Sequence, residues 1–217
     1  MKIFIDSCDI DSIQYWLDLG VGEGITTNPL LIKKQGIIDV DHQLKQIVNM
    51  AGGYPVSIQI TENQAPDIVV QARHFSGFGK NVVIKIPIIN SYGESLLPVI
   101  NSLSKQGISV NVTACMMATQ AIFAAKAGAK YVSLFFGRIS DHGGDPVHQI
   151  NLVRGWIEQA ESNSEIIVGS IRDVHAIYNI IPSKPHICTI TPDILDKCVH
   201  HTMSQKTAID FEKAGIQ

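Results

Sequence analysis

Apolar residues recur along this chain with two periods that alternate from end to end. Short runs rich in β-branched residues read as strands. Longer stretches with apolar positions three and four apart read as helices. Residues 3–6 form the first strand, and 7–19 a helix that Gly20 closes. Residues 24–26 form the second strand and end in the turn Thr27-Asn28-Pro29, after which 30–50 carry one or two helices. The third strand, 55–61, precedes a helix over about 64–75, and the fourth, 81–87, precedes a helix over 91–106 stopped at Gly107. Residues 108–113 make strand five, 116–127 a helix of small residues, and 131–136 strand six. A loop with three glycines, 137–145, leads into a helix over 146–160. Strand seven spans 165–170 and is followed by a helix through Ile181, and strand eight spans 186–190. Thr191-Pro192 then opens a helix, with threonine as its N-cap and proline at the first position. A final helix covers about 204–214.

Eight strands, each followed by a helix, fit a (β/α)8 TIM barrel better than an open doubly wound sheet. No repeat, low-complexity stretch or linker divides the chain, so 1–217 reads as a single barrel domain with an extra C-terminal helix.

The alternation within the strands says more. In the third strand Val56, Ile58 and Ile60 share one face, while Ser57, Gln59 and Thr61 share the other. In the fifth, Ile108, Val110 and Val112 oppose Ser109, Asn111 and Thr113. In the sixth, Val132 and Leu134 oppose Ser133 and Phe135. A barrel strand turns one face to the helices and the other inward, and the helix-facing set must be apolar. The polar set therefore lines the interior, where branched apolar residues are the rule. Buried polar groups left without partners cost about 1–3 kcal/mol each, so a cluster of them points to something bound.

Lys85 belongs to that interior set. It sits in Val82-Val83-Ile84-Lys85-Ile86-Pro87, opposite Ile84 and Ile86. An ammonium in such a strand is costly to desolvate, so the fold either releases it at an open end or uses it. One reading is a lysine that reaches out of the strand end or pairs with a carboxylate. The other is an amine of depressed pKa that attacks a carbonyl and forms a Schiff base. The polar faces of the neighbouring strands favour the second.

The C-terminal strand ends carry the remaining candidates, since barrel enzymes place their chemistry there. Asp6 ends the first strand, as a proton-transfer group, as the acidic complement of the following helix dipole, or as both. Ser170 and Arg172 follow strand seven at the start of a helix, where backbone N–H groups favour an anion. Arg138 follows strand six and offers the same phosphate a second guanidinium. Each arginine alone reads as a surface residue paired with Asp141 or Asp173. Two on neighbouring loops read better as a phosphate clamp. His142 and Asp145 read as solvated loop residues without assignment.

A formal net charge of -3 and no basic cluster exclude nucleic acid or a charged membrane surface as the expected partner. The N-terminus reaches Asp6 too soon for a signal peptide, and no apolar run approaches a membrane span. Cys8, Cys115, Cys188 and Cys198 are scattered, as reduced thiols of a cytoplasmic protein. His200-His201 lacks the spacing of a helical metal site, so no metal is expected.

At these residues the chain resembles the small transaldolase and fructose-6-phosphate aldolase family, class I Schiff-base enzymes on a (β/α)8 barrel. The matching pieces are Phe4-Ile5-Asp6, Thr26-Thr27-Asn28-Pro29, Val83-Ile84-Lys85-Ile86-Pro87, Asn111-Val112-Thr113-Ala114, Gly137-Arg138-Ile139 and Ser170-Ile171-Arg172. They follow the family's order over nearly the whole chain. The resemblance implies that Lys85 forms the Schiff base and Asp6 transfers protons. It implies that Gln59 and Thr113 position a water, and that Asn28 and Asn111 hold substrate hydroxyls or orient the lysine. Thr26 and Phe135 would line the substrate site, with Ser133 at the hydroxyl end and Ser170, Arg172 and Arg138 on the phosphate. It further implies sugar-phosphate substrates, no metal or organic cofactor, a place in the pentose phosphate pathway and a homo-oligomer. Gln59 resembles the aldolases, whereas Phe135 and Asn111 resemble the transaldolases. Leu134 and Gly169 replace the family's usual proline and alanine. The expected activity is transfer of a three-carbon dihydroxyacetone unit between sugar phosphates. The alternatives are aldol cleavage of fructose 6-phosphate, isomerisation of a sugar phosphate with Lys85 only electrostatic, and binding of sugar phosphates without catalysis.

Overall fold

In a computed structural model that describes residues 1–215, the β-branched runs pair in sequence order into a closed parallel barrel. Its strands are β1 (Lys2–Asp6), β2 (Ile25–Thr26), β3 (Val56–Gln59), β4 (Val82–Pro87), β5 (Val110–Cys115), β6 (Tyr131–Phe135), β7 (Glu165–Gly169) and β8 (Ile187–Ile190). β1 pairs with β8 to close it. The helices that return the chain are α1 (Ile10–Asp18), α2 (Pro29–Lys34), α3 (Val40–Met50), α4 (Ala65–Ser76), α5 (Leu97–Lys105) and α6 (Ala118–Lys126). They continue with α7 (Phe136–Asp141), α8 (Pro146–Gln159), α9 (Val174–Ile180), α10 (Pro192–Val199) and α11 (Thr202–Gly215). This is the (β/α)8 architecture that the alternating periods predict.

The period-2 pattern sorts the core into two bodies. Ile5, Ile25, Ile58, Ile84, Val110, Val112, Val132, Ile166, Cys188 and their neighbours pack outward against the helices in one continuous apolar layer. A second, smaller cluster of Phe4, Val83, Tyr131, Ile167 and Ile187 plugs the barrel interior from the other strand face. Phe4 and Tyr131 meet edge-on there, with ring centroids 6.3 Å apart. Gly24 makes room for the plug, because a Cβ at that position would lie 2.5 Å from the Phe4 ring. The interior is thus apolar at one level and polar above it, towards the C-terminal strand ends.

Two connections differ from the sequence reading. The helix expected over 91–106 begins only at Leu97. Asn90 diverts the chain first: its side-chain oxygen accepts from the N–H groups of Tyr92 and Glu94, and Gly93 adopts φ +82°. An asparagine that satisfies the backbone this way competes with the helix start. The loop expected over 137–145 in fact carries α7 up to Asp141, and only Gly143 turns left-handed. Asp145 ends this connection as the N-cap of α8, accepting from the His148 N–H at 3.0 Å.

α11 buries no residue, and Met203, Ile209 and Phe211 are exposed along it. No helix among the described residues is long and apolar enough to cross a membrane.

Candidate active site

The strand registers set the polar interior residues side by side. Gln59, Lys85 and Asn111 are direct partners across β3, β4 and β5, and Asp6 is the partner of Thr26 across β1 and β2. Above them a cavity of about 350 Å3 opens, lined by Asp6, Asn28, Gln59, Lys85, Thr113, Phe135, Arg138 and Ser170 among others. Eight of the residues singled out in the sequence therefore face one space, although they come from seven strand ends.

Lys85 is buried, and its Nζ donates to the Thr27 carbonyl at 3.3 Å. Burial pushes its ammonium well below the ordinary lysine value, and the charge of Asp6 opposes that shift. An amine that gives up its proton more readily is the better nucleophile towards a carbonyl. Asp6 does not cap α1, whose N-cap is Asp9. Its Oδ1 accepts instead from the Thr26 hydroxyl at 2.8 Å. Cys8 lies close by, and burial pushes its thiol up to about 11, with the charge of Asp6 adding to the effect.

Gln59 donates through Nε2 to the backbone carbonyl of its partner Lys85 at 3.3 Å. The Thr113 hydroxyl is buried, faces the cavity and has no hydrogen-bond partner among the described residues. Such a group calls for a bound water or ligand atom. Beside it, Ala114 takes φ +57° where the β5–β6 register shifts, a bulge of the kind that re-aims side chains beside functional sites.

Three predicted residues lie beneath the cavity. Thr26, Asn111 and Ser133 are buried and do not line it. Ser133 donates to Asn111 Oδ1 at 2.7 Å, and Asn111 Nδ2 donates to Ser57 Oγ at 3.1 Å. This network fixes the floor on which Lys85 and Thr113 stand, since β5 carries Asn111 beside both. Thr189 of β8, absent from the sequence reading, does line the cavity, and its hydroxyl lies 2.6 Å from that of Thr26. The alternation that exposed the other strands marks it too, because Ile187 and Thr189 oppose Cys188 and Ile190.

At the phosphate end the two arginines part. Arg138 lines the cavity with its guanidinium 5.6 Å from the Phe135 ring centroid. Arg172 points outward and grips Asp141 with both terminal nitrogens. Its hydrogen bond to the carboxylate holds Asp141 below the usual aspartate range. Ser170 reaches the cavity through a left-handed backbone, φ +58°, and its carbonyl accepts from the Gly137 N–H at 3.0 Å. Ser170 and Arg172 precede α9 rather than start it, since Asp173 is its N-cap.

A sequence profile for Transaldolase/Fructose-6-phosphate aldolase matches residues 3–216. The chain belongs to the transaldolase/fructose-6-phosphate aldolase family. Among the most similar relatives are proteins named "Probable transaldolase". That of Methanococcus maripaludis (strain C7 / ATCC BAA-1331) is 39% identical over 98% of this chain and 98% of its own. That of Streptococcus equi subsp. equi (strain 4047) is 35% identical over 94% of this chain and 92% of its own. Among solved structures, a mandelate oxidase variant with a monooxide FMN adduct aligns with a TM-score of 0.59. It covers 84% of this chain and 58% of its own at 11% identity, a likeness of fold alone. In this member of the transaldolase/fructose-6-phosphate aldolase family, the polar half of the barrel brings a buried lysine, a carboxylate and an amide to one cavity.

Proposed function

We propose that this protein is a Schiff-base transaldolase that transfers a three-carbon dihydroxyacetone unit between sugar phosphates. The observation that carries the reading is a buried lysine of depressed pKa that shares one cavity with a carboxylate. Lys85 attacks the ketone of the donor, and loss of water gives an iminium. Asp6 takes the proton of the hydroxyl beyond the bond to be broken. The carbon–carbon bond cleaves, and its electron pair passes into the iminium to leave an enamine. An aldehyde acceptor then takes up the three-carbon unit. Gln59 and Thr113 hold the water that leaves and returns, and Asn28 meets substrate hydroxyls at the cavity wall. Thr26, Asn111 and Ser133 act from below as the hydrogen-bonded floor. Ser170 and Arg138 receive the phosphate, Phe135 lines its approach, and Arg172 joins them once it leaves Asp141.

Aldol cleavage of fructose 6-phosphate is the second reading, favoured by the neutral Gln59 in the cavity wall. On either reading sugar phosphates are the partners and no metal or organic cofactor takes part. We further infer one barrel domain over 1–217, a place in the pentose phosphate pathway in the cytoplasm, and a homo-oligomer. The exposed Met203, Ile209 and Phe211 of α11 support the last. The test is borohydride reduction with dihydroxyacetone or fructose 6-phosphate, followed by peptide mass mapping. An adduct on Lys85 supports the reading. An adduct on another lysine, or none, overturns it.

A further inference from the structure

We propose that Thr189 is a positioning residue for the proton-transfer step, acting on Asp6 through the hydroxyl of Thr26. The inference rests on the reading of Asp6 as the group that takes the substrate's hydroxyl proton. It starts from two short contacts in series across the seam where the barrel closes. The Thr189 and Thr26 hydroxyls are 2.6 Å apart, and the Thr26 hydroxyl is 2.8 Å from Asp6 Oδ1. Both threonines are buried.

Counting protons gives the chain a direction. A carboxylate only accepts, and each hydroxyl has one proton to give. Thr26 therefore commits its proton to Asp6, and its oxygen is free to accept the proton of Thr189. Hydrogen bonds in series polarise one another, so the second hydroxyl strengthens the hold of the first on the carboxylate. Thr189 is oriented for this role. A Cβ on Gly169 would lie 3.2 Å from Thr189 Cγ2, so the methyl faces the bare glycine and the hydroxyl faces Thr26.

In the cleavage step the substrate O–H bond breaks and the proton bonds to Asp6. The oxygen's electron pair becomes the new carbonyl, and the carbon–carbon pair flows into the enamine. Before that step the two hydroxyls hold Asp6 aligned, ready to accept. Afterwards Asp6 is neutral, and both threonine hydroxyls reverse by rotation alone, with no bond broken. A pair that only satisfied its own buried oxygens would do neither.

The test compares Thr189→Val, which keeps the shape and loses the hydroxyl, with Thr189→Ser, which keeps the hydroxyl and loses the methyl. Transfer from fructose 6-phosphate to erythrose 4-phosphate supplies kcat and KM, and borohydride trapping of dihydroxyacetone on Lys85 reports the Schiff base independently. Loss of a hydrogen bond in a charge-assisted chain predicts a fall in kcat of about tenfold for Thr189→Val. KM is expected within about twofold, trapping intact, and most of kcat restored in Thr189→Ser. Unchanged kcat in Thr189→Val overturns the inference. So do equal losses in both variants, which mark packing, and a rise in KM alone, which marks direct substrate contact. Should Thr189→Val not fold, Thr189→Ala against Thr189→Ser reads the same split. Absence of trapping in the unsubstituted protein overturns the Schiff-base reading, and this inference with it.

Discussion

Arg172 and Asp141 form a two-pronged ion pair at the rim of the barrel, so one of the two arginines expected on a phosphate already holds a carboxylate. Arg138, one helical turn before Asp141 in α7, stays on the cavity wall, which Ser170 also lines.

The first prediction follows from that difference. Arg138→Ala is expected to weaken phosphorylated substrates roughly ten- to a hundredfold, the value of a charge-assisted contact, with little effect on dihydroxyacetone. Arg172→Ala should cost less, because Arg172 must first leave Asp141. Asp141→Asn should tighten phosphorylated substrates by freeing it. Steady-state KM values for donors with and without phosphate check the order, and equal losses on both substrate classes would point to structural roles.

Lys85→Met tests function against stability. The variant is expected to lose both trapping and turnover, yet to melt higher than the unsubstituted protein. A buried ammonium is replaced by an apolar chain of similar length, for a gain of about 1 kcal/mol or more and roughly 2–4 °C per kcal/mol. The sign with pH follows from the depressed folded pKa of Lys85: the unfolded chain binds the extra proton, so the native protein gains stability as pH rises towards the ordinary value of 10.5. The advantage of Lys85→Met should therefore shrink over the same range. Thermal melts of both proteins from neutral to alkaline pH measure it.

Gln59 and Phe135 set the balance between transfer and cleavage. Gln59 carries no charge and Phe135 no hydroxyl, so neither hands a proton to the enamine. Transfer is expected to exceed aldol cleavage when an acceptor is present, and Phe135→Tyr to shift the balance towards cleavage. Fructose 6-phosphate with and without erythrose 4-phosphate, followed by assay of free dihydroxyacetone and sedoheptulose 7-phosphate, decides it. Free dihydroxyacetone dominating in the presence of acceptor would make the protein an aldolase.

Gly137 is a packing prediction. A Cβ there would lie 2.5 Å from the Ser170 carbonyl oxygen and 3.0 Å from its hydroxyl. Gly137→Ala must push the β7 end aside, at a cost of about 1–3 kcal/mol, and carry Ser170 away from the cavity. A lower melting temperature together with weaker binding of phosphorylated donors is expected. A variant that melts lower but binds them normally would remove Ser170 from the phosphate site.

Much of this was legible before folding. Alternation placed Ser57, Gln59, Lys85, Asn111, Thr113 and Ser133 inside the barrel, because which face a residue takes depends only on its own strand. The same rule marks Thr189, the inward polar position of β8. The start of α5 falls later than apolar periodicity predicts, because the bonds from the Tyr92 and Glu94 N–H groups to Asn90 compete locally with helix formation. α7 does not show in the composition, because Gly137, Gly143 and Gly144 together predict a loop, whereas Gly137 serves a close approach to Ser170.

The sequence by itself determined the barrel, its inward and outward faces and the lysine at its centre, since these follow from periodicity and from the cost of burying charge. Only the tertiary structure decided depth and pairing. Closing the barrel with staggered strands sets the height of each inward residue, which separates Lys85, Gln59 and Thr113 on the wall from Thr26, Asn111 and Ser133 beneath it. Contacts between residues far apart in the chain, Arg172 with Asp141 and Thr189 with Thr26, form only when strands and helices distant in sequence meet. No local pattern encodes them.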